Sequence, residues 1–236
     1  MSSQLARELG TAERILDAAE LEFAAVGYAP ARLSDIAARA GIRRPSLLYH
    51  FASKELLYRA VVERAFDSLG AELARFMGAG GDFAAQLENV VRSFAGFVQA
   101  RPTIAPLIVR ELIDDPTHDE SAARRGGGNP GRELMLERVA PLLDIVEGFI
   151  RAHADERLRA DLPVRAAIVQ IAGDLLLHTA AGTLREPLWG SGEHAITLAN
   201  ILFFGSATAP VKTSTEPSPV HPAADTLPLE SPESQS

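Results

Sequence analysis

The chain has 236 residues, and 47% of them are hydrophobic, which is enough to build a core. Its formal net charge of −8 argues, for the chain as a whole, against a nucleic-acid partner. It contains no cysteine, which excludes disulfides, cysteine-ligated zinc and thiol catalysis and agrees with a reducing cytoplasm. The N-terminus lacks the apolar run of a secretion signal and no apolar stretch reaches the roughly 18 residues of a membrane span, so we expect a cytoplasmic protein without a membrane-embedded part.

Two amphipathic helices are predicted at the N-terminal end of a chain that is rich in alanine and leucine. On the first, apolar residues at alternating steps of four and three form one stripe: Ala12, Leu16, Ala19, Phe23 and Val26. Thr11 can cap its start and Gly27 can end it. On the second, the apolar face consists of Leu33, Ile36, Ala37 and Ala40. It is expected to stop at Gly41, where a left-handed backbone costs little.

A third, very short helix is predicted to start at Pro45, because proline fits the first helical position and pushes the preceding Arg44 out of the helical region. Leu47 and Phe51 are four residues apart and share its inner face. The residues that then point outward are Ser46, Tyr49 and His50. Ser53 can cap a fourth helix that follows directly.

The segment from residue 32 to 59 is positively charged, although the whole chain is acidic. Its six basic residues are Arg32, Arg39, Arg43, Arg44, Lys54 and Arg59. With two acidic residues, Asp35 and Glu55, the segment carries +4 and the remainder −12. Binding to a polyanion depends on the local field, because salt screens charges beyond about 8–10 Å. A nucleic-acid partner therefore stays possible for this segment.

The second and third predicted helices, joined by a tight glycine turn, have the arrangement of a helix-turn-helix. Such a short second helix fits the major groove of DNA, which is about 12 Å wide, and presents its first turn to the base edges. Surrounding cations contact phosphates, which supply affinity but carry no sequence information.

The remaining pattern is also helical. One stripe consists of Phe83, Leu87, Val90, Phe94 and Phe97. Further helices are predicted for TIAPLIVRELI and RELMLERVAPLLDIVEGFIRAH, with a mobile loop, DDPTHDESAARRGGGNPG, between them. Asp174 is the only charge between residues 166 and 184, and there is none between 195 and 204. Helices that are apolar on all sides need burial on all sides, which a subunit interface would provide.

Residues 11–60 resemble the N-terminal domain of the tetracycline-repressor (TetR) family of transcriptional regulators. The matching stretches are ILDAAELEFAAVGY, LSDIAARAGI, RRPSLLYHF and SKELL. The resemblance implies an all-α protein with an N-terminal three-helix helix-turn-helix DNA-binding domain and a larger C-terminal helical ligand-binding and dimerisation domain. It also implies a homodimer through the last two helices, a palindromic double-stranded DNA operator and a small-molecule effector that is unknown here.

On this basis we expect residues 1–52 to bind DNA and residues 53–206 to bind the effector and dimerise. Six of the fifteen prolines fall after residue 206, so we expect residues 207–236 to form a disordered, Pro-rich tail.

By resemblance, the family's recognition helix meets DNA at Arg44, Pro45, Ser46, Tyr49 and His50. Lys54 matches a phosphate-contacting lysine, Ser34 a helix 2 position that can touch DNA, and Arg43 adds a further cation. Two positions depart from the family. Arg32 stands where a serine or threonine often caps helix 2, so the cap is lost although an arginine can still reach phosphate. Leu48 stands where the family frequently has tyrosine. The phosphate contact of such a tyrosine is therefore absent here or replaced by an apolar contact with a thymine methyl.

Each of these residues also has an ordinary structural interpretation. Tyr49 and His50 can pack against the first or fourth helix, Lys54 can be a surface lysine, and the two arginines before Pro45 can simply solvate a turn.

The candidate lining of a ligand pocket is Phe94, Phe97, Arg110, His153, Asp174 and His178. Asp174 and His178 are four apart, a spacing that suits two metal ligands, but no third ligand is evident and we expect structural or pocket-lining roles and no metal. Because a buried unpaired carboxylate is costly, Asp174 needs a partner, either across the dimer or in a cavity.

The leading functional hypothesis is a DNA-binding transcriptional regulator, a repressor released from its operator by a small molecule, with no cofactor and no enzymatic activity. An alternative is a helical carrier or enzyme with a vestigial DNA-binding domain, although the sequence contains no nucleophile elbow, phosphate loop or metal cluster. A third is a dimeric scaffold that recruits partners through its acidic tail.

Overall fold

The computed structural model describes residues 2–78, 80–113, 130–190 and 194–206, without the side chains of residues 2–9, 130 and 132. Helices dominate this part of the chain, which contains no strand. Their bounds are α1 Ser2–Val26, α2 Leu33–Arg39, α3 Arg44–His50, α4 Lys54–Met77, α5 Phe83–Ala100, α6 Ile104–Ile113, α7 Pro130–His153, α8 Val164–Ala180, α9 Arg185–Trp189 and α10 His194–Phe204. The predicted all-α architecture is confirmed. Most of the predicted mobile loop and the whole Pro-rich tail lie outside the described residues.

Helix α1 is longer than predicted. It begins at Ser2 rather than at Thr11, so Thr11 lies inside the helix and cannot cap it. The sequence SQLARE contains good helix formers, and one interior glycine, Gly10, costs only about 1 kcal/mol relative to alanine. At the other end Gly27 has φ +84°, and its N–H donates to the carbonyl oxygen of Phe23, which ends the helix as predicted.

The turn between α2 and α3 has the predicted glycine. Gly41 has φ +69°, and the N–H of Ile42 donates to the carbonyl oxygen of Ala37 at 3.0 Å, which closes the C-terminal end of α2. Helix α3 starts one residue earlier than predicted: Arg44 is already helical, and Arg43 is the extended residue before it, with φ −85° and ψ 149°. Leu47 is fully buried beneath α3, and Phe51 is half-buried just after it.

One hydrophobic core joins the N-terminal helices to the larger helical region. It runs from Ile15, Ile36 and Leu47 of the three-helix unit, through Tyr58 of α4, to Phe203 of α10. Helix α4 leads from one region into the other, and Ser53 caps it by accepting a 3.1 Å hydrogen bond from the N–H of Leu56, as predicted. The orientation of α2 and α3 is therefore fixed by packing on α1 and α4.

Helices α8 and α10 are apolar but only partly covered in the monomer. Exposed apolar residues on them and on the connection between them are Val169, Leu177, Leu184, Leu188 and Ile201. On α8, Val169 and Leu177 are eight residues apart and lie on one face together with Ala166 and Gly173. This face is free for contact with another subunit.

In the described residues no single helix is long and apolar enough to cross a membrane. Val164–Ala180 and Gly182–Trp189 together meet the length and composition of a span, but they are bent by 112°.

Candidate DNA-binding surface and ligand cavity

The outward face of α3 is open to solvent. Tyr49 is 77% exposed, the most exposed large apolar side chain of the described residues, although such side chains are usually buried. Its ring meets the half-buried His50 edge-on, with the centroids 5.4 Å apart. Arg44, Pro45 and Ser46 in the first turn are also exposed. The structure thus brings the five candidate residues of α3 onto one accessible surface above the buried Leu47.

Three cations surround this surface. Arg32, Arg43 and Arg44 are exposed at the N-terminal ends of α2 and α3 and form no ion pair with any described residue. Arg39 and Arg59 differ from them, because Arg39 lies 3.4 Å from Glu22 and Arg59 lies 2.8 Å from Glu137. A polyanion therefore meets unpaired guanidinium groups beside two helix N-termini, which favour negative charge.

The N-terminal end of α2 has no side-chain cap. Arg32 takes the cap position with extended backbone, and its side chain makes no capping hydrogen bond, as the substitution of the family's serine or threonine predicted. The exposed Ser34 donates a 3.2 Å hydrogen bond to Oδ1 of Asp35. Leu48 is half-buried on α3, so only part of its side chain can reach a partner.

Lys54 lies in a different environment from that of a free phosphate-binding lysine. Its Nζ donates hydrogen bonds to the carbonyl oxygens of Tyr28 and Ala29 at 3.0 Å and of Ala31 at 3.3 Å. The same Nζ lies 4.6 Å from the centroid of the Tyr28 ring, and partial burial lowers the pKa of Lys54. Lys54 thereby ties the connection between α1 and α2 to the start of α4.

An apolar, partly open cavity of about 130 Å³ lies in the larger helical region. All of its lining side chains are hydrocarbon: Phe66, Leu69, Leu73, Leu87, Val90, Val91, Phe94, Ile108, Val139, Leu142, Leu143, Val146, Ile150, Ile168, Ile171, Ala172, Leu175, Leu176 and Phe203. They come from α4, α5, α6, α7, α8 and α10. Sequence reasoning found only Phe94 among them, because an apolar residue that lines a cavity has the same helical periodicity as one that fills the core.

The other aromatic and charged pocket candidates lie elsewhere. Phe97 is buried, but it is not among the residues that line this cavity. Arg110 is exposed and donates to the carbonyl oxygen of Ala25 in α1 at 3.1 Å. His153 is exposed at the end of α7, where its Nδ1 lies 2.9 Å from the carbonyl oxygen of Phe149.

Asp174 and His178 belong to a polar cluster where α8, α9 and α10 meet. Asp174 Oδ1 accepts a 2.8 Å hydrogen bond from Nε1 of Trp189, and its Oδ2 lies 3.2 Å from Nε2 of His194. The carboxylate thus has a hydrogen-bond partner, Trp189, within its own chain, and His194 lies beside its second oxygen. The His178 ring lies 4.5 Å from that of His194, and burial, followed by His194 and Arg185, lowers the pKa of His178. No group of three possible metal ligands occurs in the described residues.

Polar contacts connect α1 to the helices around the cavity. Arg64 of α4 binds Asp17 at 2.8 Å and Glu20 at 2.9 Å, both on α1. Thr103, just before α6, donates to Glu20 Oε1, and Arg110 on α6 reaches the end of α1. Since Ile108 of α6 is part of the cavity wall, one helix contacts both the cavity and the helix-turn-helix unit.

Comparison with known proteins places the N-terminal helices in a family. Residues 15–61 match the sequence profile of the bacterial regulatory proteins of the tetR family. The chain is 35% identical over 86 residues to the HTH-type transcriptional activator FasR of Mycolicibacterium smegmatis, covering 36% of this chain and 39% of FasR. It is 44% identical over 101 residues to the HTH-type transcriptional regulator RutR of Escherichia coli K12, covering 42% of this chain and 46% of RutR. The chain therefore spans less than half the length of these relatives.

The fold extends this similarity over most of the molecule. The transcriptional regulator FadR from Bacillus subtilis, solved in complex with stearoyl-CoA, superposes with a TM-score of 0.61 at 18% identity, covering 82% of this chain and 98% of that one. At that identity the superposition speaks for the fold alone. The profile match on α1 to α4 and the sequence relatives thus liken the N-terminal part of the chain to the tetR family of bacterial regulatory proteins, and the superposition extends only the similarity of fold to the rest.

Proposed function

We propose that the protein is a homodimeric, sequence-specific DNA-binding transcriptional regulator, a repressor that leaves its operator when a small molecule binds. The observation that carries the proposal is the exposed surface of α3, where Tyr49 stands in solvent near Arg43 and Arg44, which form no ion pair with a described residue. A large exposed aromatic side chain and free cations at helix N-termini suit a DNA groove, where the cations bind phosphates and the aromatic contacts bases. In this proposal residues 1–52 form the DNA-binding domain and residues 53–206 the effector-binding and dimerisation domain.

The DNA-contacting residues follow from the same surface. They are Arg32, Ser34, Arg43, Arg44, Pro45, Ser46, Tyr49 and His50. Lys54 is proposed to act through the backbone that it holds, since its ammonium group is occupied by three carbonyl oxygens. It keeps the connection before α2 in place and does not provide a free charge for phosphate.

Dimerisation is proposed to use the uncovered faces of α8 and α10. A face with Val169, Leu177 and Ile201 exposed is costly in water and becomes favourable when two copies bury it. A two-fold symmetric dimer presents two α3 helices, which must lie about 34–36 Å apart to enter successive major grooves. The operator is then a palindrome with half-sites one helical turn apart.

Effector binding is proposed to act through the spacing of the two α3 helices. The cavity wall includes Ile108 on α6, and Arg110 on the same helix contacts α1. A ligand that binds better when α6 is displaced favours a dimer in which the distance between the two α3 helices differs from the distance that fits the operator. Such a ligand binds the conformation with displaced α6 more tightly than the conformation that binds DNA. The ratio of these two affinities sets the largest factor by which the ligand can reduce the affinity for DNA.

Selection of bound sequences from random duplex DNA, followed by gel shifts with the enriched site at 50 and 200 mM salt, tests this function. We expect an enriched palindrome and an affinity that falls steeply with salt, by about 10³-fold or more for six or more phosphate contacts. A carrier or enzyme with a vestigial DNA-binding domain gives neither enrichment nor a shift at either salt concentration. That result would refute the proposal.

A further inference from the structure

The inside of the cavity offers no hydrogen bond to a ligand, because every lining side chain is hydrocarbon. A hydroxyl, amide or charged group placed there loses its contacts with water and gains none. The free volume of about 130 Å³ is close to that of an engineered apolar cavity of about 150 Å³ that binds benzene. The cavity therefore suits a hydrocarbon group of roughly six carbon atoms, and any polar part of the ligand must lie outside it.

A second cleft, lined by both charged and apolar side chains, adjoins the cavity. This cleft of about 420 Å³ lies between α4 and α7, and it shares two lining residues, Phe66 and Leu142, with the cavity. Phe66 and Leu142 thus stand between the two spaces. Gly70 allows this close approach, because a Cβ there would lie 3.3 Å from Cδ2 of Leu142. A polar group attached to a buried hydrocarbon group can thus lie in the cleft.

The cleft contains acceptors rather than free cations. Asp67, Glu137 and Arg138 line it. Arg138 already donates to Glu63 at 2.6 Å and to Asp67 at 3.3 Å, and Glu137 is bound by Arg59 at 2.8 Å. The three carboxylates thus outnumber the two guanidinium groups that pair with them.

Pro141 of α7, which also lines the cleft, adds no backbone donor there, because proline has no N–H. An anionic head group would have to displace a carboxylate from an arginine. A hydrogen-bond donor meets acceptors directly.

We propose, on the basis of the function proposed above, that the effector is an amphiphile with a non-anionic head group. Its hydrocarbon part enters the cavity, and an amine or hydroxyl head lies in the cleft between α4 and α7, where Asp67 and Glu137 receive it. Asp67 is the principal charged contact, because its side chain is 70% exposed and its one ion pair with a described residue, to Arg138, is 3.3 Å long.

Calorimetric titration of the full chain with three ligands of one chain length tests the head group. The ligands are octylamine, octanol and octanoate, which differ only at the head. We expect octylamine and octanol to bind at least about ten-fold more tightly than octanoate, since a like charge in a net negative cleft is repelled. Equal or tighter binding of octanoate, or of octanoyl-coenzyme A, overturns the proposal.

Two variants and one control distinguish the contribution of the cleft to ligand binding from that of the cavity. Asp67→Asn should weaken octylamine several-fold relative to octanol and so shift the preference between these two ligands. Glu72→Gln, which changes a half-buried acid on the same helix that pairs with Arg75, should leave this preference unchanged. Ala172→Leu, which adds volume inside the cavity, should weaken all bound ligands alike. An unchanged preference in Asp67→Asn contradicts the assignment of the head group.

The DNA experiment is independent of these titrations. If none of the three octyl ligands binds while the protein still selects a palindrome, the effector inference falls and the regulator function stands. If the ligands bind in the expected order but no DNA is bound, the regulator function falls instead.

Discussion

Tyr49 is the residue for which we make the most specific prediction, a loss of binding to the operator. Its ring stands in solvent on α3, so truncation removes the proposed DNA contact without opening the core. We expect Tyr49→Ala to weaken binding to the selected operator by about 1–3 kcal/mol and to leave binding to random DNA almost unchanged. Competitive gel shifts with operator and random duplex measure both quantities. Tyr49→Phe is the matched control, and equal losses on both duplexes for Tyr49→Ala would show that the ring does not read bases.

For Lys54 we expect a substitution to reduce the stability of the fold and to leave the salt dependence of DNA binding unchanged. Its three hydrogen bonds to backbone carbonyl oxygens are internal to the protein, so Lys54→Gln should lower the free energy of unfolding by about 1–3 kcal/mol. Urea unfolding followed by circular dichroism measures this loss. The slope of log K against log salt for DNA binding should remain as in the wild type, because no phosphate contact is removed. A stable variant whose slope is reduced by about one unit would instead identify Lys54 as a phosphate ligand.

These two residues show how far a sequence determines individual side chains. The outward direction of Tyr49 follows from the spacing of Leu47 and Phe51, which is local information. The environment of Lys54 does not, because its acceptors are backbone atoms 23 to 26 positions earlier in the chain. Residue type alone cannot distinguish a lysine that binds phosphate from one that binds its own backbone.

At the scale of helices, the N-terminal end of α3 carries a prediction about salt. Arg44 is exposed there and forms no ion pair with a described residue, so Arg44→Gln should weaken binding to all sequences alike. The salt slope of the DNA affinity should become shallower by about one unit. Fluorescence anisotropy at four salt concentrations measures the slope. Arg39→Gln, which removes an arginine already paired with Glu22, serves as the control and should change the slope less.

The junction of α8, α9 and α10 makes a prediction about pH. Burial, His194 and Arg185 lower the pKa of His178, with Asp174 opposing them. A histidine whose pKa is lower in the folded than in the unfolded chain binds its proton more weakly when folded. Its stabilising effect is complete above the ordinary pKa of about 6.5 and declines as the pH falls below it. The melting temperature should therefore drop more between pH 7.5 and 5.5 in the wild type than in His178→Gln. His153→Gln, at an exposed position, should behave as the wild type does.

The helices differ in how well their sequences define them. The start of α4 was predictable because Ser53 caps it through a contact three residues away. The start of α1 was not, since Thr11 has the chemistry of a cap but the preceding residues favour a longer helix. For α8 and α10 the composition indicated burial, while the polar cluster that joins them depends on Trp189, fifteen positions from Asp174.

At the scale of the whole molecule, one hydrophobic core runs from α1 to α10, and the proposed function needs two copies of this chain. In the proposed function this shared core transmits a change at the cavity to α3, and the change affects DNA binding only if a partner subunit defines the spacing of the two α3 helices. The cavity itself could not be predicted from periodicity. Its existence depends on how six helices from distant parts of the chain pack together.

Dimerisation through α8 and α10 can be tested by a charge on the shared face. Leu177 is exposed on α8 in the monomer, so Leu177→Asp should leave each subunit folded while burying an unpaired carboxylate at the proposed interface. We expect a monomer in sedimentation velocity, a far-UV circular dichroism spectrum like that of the wild type, and loss of binding to the palindrome while a single half-site is bound weakly. Leu136→Asp, on the exposed side of α7, is the matched control and should remain dimeric. If Leu177→Asp stays dimeric and binds the palindrome normally, the two subunits meet through another surface, and the spacing of the α3 helices must be derived from that surface instead.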